Sequence, residues 1–203
     1  MNTRVKLSAV LIFLGLLLAF LPSREARLIK SKPDRLVSLL NDEKYWFTVD
    51  QVARFVVNED QTVQLIDLRP TDEFLKMNIP GSVNIPFSNF SKRIPANFSA
   101  DKNMKNILFA NDDLNAREAF IIARGLNYRN TFLMKGGLDE WQKTMINTNF
   151  TGEKLSAREN ALFETRSRAG RMFAEFNSMP DSLKKKYFAS RQLARKKLDG
   201  GCE

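Results

Sequence analysis

The chain has 203 residues, one cysteine and no histidine, and its 32 Lys+Arg against 23 Asp+Glu leave a net charge of +9. A single cysteine rules out an intrachain disulfide or a zinc or iron–sulfur centre held by this chain alone, and the missing histidine rules out Ser–His–Asp and Cys–His catalysis. The basic balance points to an anionic partner without naming it.

In chain order, Leu7 to Leu21 (LSAVLIFLGLLLAFL) is uncharged and flanked by Arg4 and Lys6 before it and by SREARLIKSK after it. As a helix it spans about 22 Å against a hydrocarbon core of about 30 Å, so it reads as a short membrane anchor or a long export-signal core. Phe20, Leu21 and Pro22 stand where a cleavage site wants small residues, which favours an uncleaved anchor. The membrane lipid is thus an expected partner through 7–21. Counting positive charges alone places the body in the cytoplasm. The short basic start running straight into an apolar core is the form of an export signal, and the expectation adopted is a single N-terminal pass with the body on the exported, periplasmic side of a bacterial membrane.

Three regions follow from composition: 1–32 as anchor and basic linker, 33–150 as an α/β domain, and 151–203 as a basic helical extension. Pro33-Asp34 opens a helix through Leu40. A strand is expected at Phe47-Thr48, a helix over Val49–Val57, a buried strand over Thr62–Leu68 and a helical turn over Asp72–Met77. Strands at Ser82–Ile85, Asn106–Ala110 and Asn130–Met134, with a helix over Ala116–Leu126 and another from Gly136-Gly137 through Trp141, complete an alternating pattern. That alternation implies a parallel sheet of about five strands with helices on both faces. Ligand sites in such folds form beyond the carboxyl ends of strands, which directs attention to the loop from Ala110 to Ala116. In the last region Ser156 and Glu159 form a capping box, Asn177–Pro180 breaks the helix, and a second helix runs from Asp181 or Ser182 to about Leu198. From Thr151 onward twelve Lys+Arg face seven Asp+Glu, so +5 of the net charge lies there.

The segment IDLRPTDEFLKMNIPGSVNIP, Ile66 to Pro86, resembles the signature of rhodanese-like domains: Asp67, Arg69, Glu73, Phe74, Ile79-Pro80-Gly81 and Asn84-Ile85-Pro86 fall at its positions. Asn78 stands where histidine is common. A second motif of the family is met by Tyr128, Asn130, Gly136, Gly137 and Trp141. The resemblance covers about 45–148 and implies the same parallel α/β fold. Asp67, Arg69, Glu73, Pro80, Gly81, Gly136, Gly137 and Trp141 read as scaffold: a strand-end pair, a tight turn, a close helix start and a core aromatic.

The resemblance also implies where chemistry would sit. The family's nucleophilic cysteine opens the loop after the fourth strand, which corresponds to Ala110, or Asn111 with a shift of one. Here the loop reads Ala110, Asn111, Asp112, Asp113, Leu114, Asn115, Ala116, with no thiol, with Asn115 near the arginine position and with two carboxylates that repel an anion. It reads as an ordinary capped loop, with a cation or amine site at Asp112-Asp113 as the lesser reading. No catalytic residue, metal or cofactor is expected. The one thiol, Cys202, follows Gly200-Gly201 and is a candidate sulfur carrier on a tether. Three sequons, at Asn89, Asn97 and Asn149, read as chance.

Three functions stay open: a membrane-tethered, non-catalytic binding or scaffold module, with a protein partner engaged by the C-terminal helices; a sulfurtransferase or sulfur carrier using Cys202; and an accessory subunit of a larger membrane complex. Nucleic acid is not expected, because the basic residues lie on amphipathic helices without interleaved aromatics.

Overall fold

The computed structural model of the protein describes residues 4, 12–13, 33–98, 104–146 and 156–199, with the side chains of 33, 35, 95–97 and 191–199 outside that description. The expected anchor therefore lies almost wholly outside the described residues, as does the Gly200–Glu203 tail with Cys202. Ile12 and Phe13 are helical and 65% and 68% exposed. Among the described residues no helix is long and apolar enough to cross a membrane.

The elements are α1 (Pro33–Leu40), β1 (Trp46–Phe47), α2 (Val49–Val57), β2 (Val63–Asp67), α3 (Thr71–Lys76), β3 (Val83–Asn84), α4 (Phe90–Asn97), β4 (Lys105–Phe109), α5 (Leu114–Gly125), β5 (Thr131–Met134), α6 (Gly137–Ile146), α7 (Ala157–Ser178) and α8 (Asp181–Asp199). Five strands form one sheet in the order β1-β5-β4-β2-β3. Every pairing is parallel, with Leu65 opposite Ile107 and Ile107 opposite Phe132 at the centre. The rhodanese-like α/β arrangement expected from the motifs is the one observed.

Burial on both faces explains the strand composition. All five residues of β2 are buried, and four of the five in β4. One core cluster, on the side of α2, α6 and α7, gathers Val52, Val56, Leu65, Ile107, Trp141 and Phe173. The other, on the side of α4 and α5, gathers Ile66, Leu108, Leu133, Phe90, Ile94 and Phe120.

Several boundaries move, each for a physical reason. The first strand is Trp46–Phe47, because Thr48 leaves the sheet to form a capping box with Gln51 at the start of α2. Helix α5 starts at Leu114, two residues early, which takes Leu114, Asn115 and Ala116 out of the expected loop. Helix α6 continues past Trp141 to Ile146. Helix α4 carries no expectation from the sequence, since Pro95 discourages one. It forms because Phe90, Ile94 and Phe98 recur at helical spacing and are all buried, which outweighs the amide that Pro95 lacks.

The C-terminal extension is a helical hairpin laid on the domain. The Ser156–Glu159 capping box starts α7 as expected. Along α7, Ala169, Phe173 and Phe176 are buried, and Gly170 lets the helix approach so closely that an added Cβ would lie 2.5 Å from the Met145 carbonyl. Arg166 closes the contact with two hydrogen bonds to Asp50, at 2.7 and 2.8 Å. Helix α8 folds back so that Phe188 packs against Phe176 and against Phe74 of α3, both at 5.6 Å between ring centres.

Candidate functional site

At the carboxyl end of β2, Asp67 and Arg69 are both buried and joined by a fork of hydrogen bonds: Arg69 Nη2 to Oδ2 at 2.7 Å, and Nε to both carboxylate oxygens at 3.1 Å. The Arg69 amide also donates to Asp67 Oδ1 at 2.9 Å, and Nη2 donates to the Met77 carbonyl at 2.6 Å. Burial pushes the Asp67 carboxyl above its ordinary value, while the Arg69 hydrogen bonds and charge pull it down. Asn84 ties the next strand in by donating to the carbonyls of Asp67 and Arg69. Glu73 is half-exposed, 4.0 Å from Arg69 Nη1, and accepts a 3.0 Å hydrogen bond from Asn111 Nδ2. So Asp67, Arg69 and Glu73 form one polar chain that reaches the loop after β4.

Pro80 and Gly81 make the turn into β3. The Ser82 amide donates to the Ile79 carbonyl at 3.0 Å, and Gly81 has φ +79, the type II arrangement with proline first and glycine second. Gly137, φ +57, sits where an added Cβ would be 2.4 Å from the Asn111 carbonyl oxygen and 2.6 Å from that of Ala110. Gly137 therefore lets the start of α6 lie directly on the loop. Trp141 is fully buried one turn later, 6.5 Å from Phe173, and its indole N–H has no hydrogen-bond partner among the described residues.

The loop, now Ala110 to Asp113, uses its polar groups internally. The carbonyls of Ala110 and Asn111 accept the first amides of α6, from Leu138 at 2.8 Å and Asp139 at 3.1 Å. Asp112 Oδ1 accepts the Leu114 amide at 2.9 Å at the start of α5. Asp113 Oδ1 accepts the Gly136 amide at 2.7 Å. The Leu114 and Gly136 amides are thus satisfied by the chain's own carboxylates. Ala110 is buried, while Asn111, Asp112, Leu114 and Asn115 are exposed. The two carboxylates serve separate amides, and among the described residues no group of three or more Cys, Asp or Glu is placed to hold a metal ion.

Beside the loop lies an open cleft of about 370 Å³, lined by Thr48, Asp50, Asp113, Lys135, Glu140 and Arg166 among others. Local sequence patterns miss it, because its walls come from four separate elements. A second long-range feature escapes for the same reason. Asn177 of α7 donates to the Asn78 carbonyl at 2.9 Å and accepts the Asn78 amide at 3.0 Å. Both bonds run through the Asn78 backbone and hold the C-terminal hairpin, while the Asn78 side chain donates to the Phe74 carbonyl at 2.8 Å. Lys184 is buried, and its Nζ donates to the Asn177 carbonyl at 3.0 Å, capping α7. Cys202 lies outside the described residues.

The protein-family model of the rhodanese-like domain matches residues 48–144. No curated protein matches. Among solved structures, a rhodanese-like domain from Anabaena is 12% identical, covering 56% of this chain and 92% of that one at a TM-score of 0.44. A human single-domain sulfurtransferase is 22% identical over 49% of this chain and 96% of its own, at 0.42. A protein of unknown function from Rhodopseudomonas palustris, described as a possible tyrosine phosphatase, is 17% identical over 57% and 92%, at 0.45. With the sheet order and both motifs in place, residues 48–144 of this chain are a rhodanese-like domain.

Proposed function

We propose that the chain is a non-catalytic rhodanese-like module, held at a membrane through residues 7–21, that works by binding a protein partner. One observation carries the reading: in the loop after β4 no side chain is a thiol, and the carboxylates of Asp112 and Asp113 take the Leu114 and Gly136 amides. Sulfur transfer needs a thiolate and a cradle of unused N–H groups to carry the anion. Carboxylates in that cradle compete for the same donors and repel sulfur anions at short range.

The α7–α8 hairpin supports the scaffold reading in a second way. On α7, Ala169 and Phe173 pack into the domain core and Phe176 packs against Tyr187 and Phe188 of α8, so the outer face of α8 is the part of the hairpin left for another surface. The tether is supported by the uncharged run Leu7–Leu21.

The test is whether the loop can be rescued by a thiol alone. Ala110→Cys, made in a Cys202→Ser background and exposed to thiosulfate, is expected to show no persulfide mass shift. Stoichiometric persulfide on the introduced thiol would mean that the loop still holds a working anion cradle, and would overturn the reading. Partners are expected to co-purify with the full chain after gentle detergent extraction.

A further inference from the structure

We propose that the outer face of α8 rests on an anionic lipid surface. This inference builds on the tethered-scaffold reading and names what the leftover face of the hairpin meets. Between Asp181 and Asp199 the helix carries no acidic residue and seven basic ones. Lys184 points inward, to the Asn177 carbonyl, and Phe188 and Tyr187 pack edge-on against Phe176. Lys185 and Lys186, both exposed, lie about 100° and 160° round the helix from Lys184, on its flank and outer side. Lys196 and Lys197 follow them by eleven residues, which is about three helical turns at 3.6 residues each, so they occupy the same two register positions. Four lysines thus fall on two register lines that run the length of the helix.

Apolar side chains flank this face. Leu183 is 48% exposed in the first turn of α8, and Met179 is 38% exposed just before it. Exposed apolar groups at the same end of the helix as Lys185 and Lys186 match a bilayer interface, where carbon enters the headgroup boundary and ammonium groups meet phosphates. Residues 22–32 join the apolar segment to α1, and eleven extended residues reach about 40 Å at most. A domain held that close meets the membrane at high effective concentration, so a modest intrinsic attraction is enough to dock the helix.

The sole cysteine supplies the probe, since Cys202 lies three residues beyond the last residue of α8. The full chain is labelled there with a fluorophore and reconstituted into vesicles that carry a headgroup quencher. One set is neutral phosphatidylcholine, and the other contains about a third phosphatidylglycerol. The expected result is flotation with both sets, and strong quenching only in the anionic set. Salt raised from about 0.1 to 1 M shortens the Debye length from about 10 to 3 Å and releases the quenching. Each charge removed weakens docking about fivefold, so Lys→Gln at 185, 186, 196 and 197 together abolishes it, and Lys→Glu at the same positions does so at lower salt.

Flotation with both sets but equal, salt-insensitive quenching overturns the docking and leaves the tether standing. Flotation with anionic vesicles alone, lost in the Lys→Gln variant, upholds the docking and overturns the tether. A larger fluorescence response to polyglutamate or duplex DNA than to anionic vesicles overturns lipid as the surface.

Discussion

Buried polar residues carry the sharpest consequences of this structure. Asp67 and Arg69 are both almost fully buried, so each is tolerable only because of the other. Arg69→Met leaves the Asp67 carboxylate stranded and should lower stability by about 3–5 kcal/mol in urea denaturation, whereas a double apolar replacement should recover most of it. Asp67 also sets a pH dependence. Burial raises its folded value above the ordinary 3.8, so the fold holds this proton more tightly than the unfolded chain does. Its contribution is therefore complete below pH 3.8 and is lost as pH rises through the folded value. Relative to Asp67→Asn, the wild type should lose stability as pH rises from about 4 toward neutrality, and a difference that grows instead would contradict the burial argument. Gly137 is a third decisive residue. Gly137→Ala forces a side chain into φ +57 and onto the carbonyls of Ala110 and Asn111, and should cost about 2 kcal/mol or more by thermal denaturation.

At the scale of elements, the C-terminal hairpin is held by buried rings more than by charge. Phe173 is buried against Trp141, so Phe173→Ala should cost about 3–5 kcal/mol. The Arg166–Asp50 bridge is about one-third exposed, and Arg166→Ala should cost less than about 1 kcal/mol after solvent screening. Limited trypsin digestion of the intact protein should spare α7. Rapid cleavage at Arg166, Arg168 and Arg171 without added partner would mean that the hairpin folds only on binding, and would favour the accessory-subunit reading. Elements with local signals were readable in the sequence: the β-branched run of β2, the Pro33 and Ser156 helix starts, the Pro80-Gly81 turn and the Gly136-Gly137 entry to α6. Helix α4 was not, because its stability comes from burying Phe90 and Ile94 rather than from local preference. Nor could the sequence place Asn78 on Asn177 or Asp50 on Arg166, pairs separated by 99 and 116 residues. The candidate loop was legible by its lack of a thiol. The Asp112–Leu114 contact is local, whereas the hold of Asp113 on the Gly136 amide, 23 residues on, appears only in the fold.

For the whole molecule, the domain joins a family scaffold to two additions of opposite character, an apolar N-terminal run and a basic C-terminal hairpin. The full chain should remain in the membrane fraction through high-salt and carbonate washes, whereas release by carbonate would contradict an embedded 7–21 segment. The chain combines a rhodanese-like sheet with a loop after β4 that carries no thiol, and the proposal is that this loop transfers no sulfur. The most direct measurement is thiosulfate:cyanide sulfurtransfer by the purified full chain beside its Cys202→Ser variant. A binding module gives background turnover in both. Robust turnover that survives Cys202→Ser would show that the chain has a working site without a cysteine, and would contradict it.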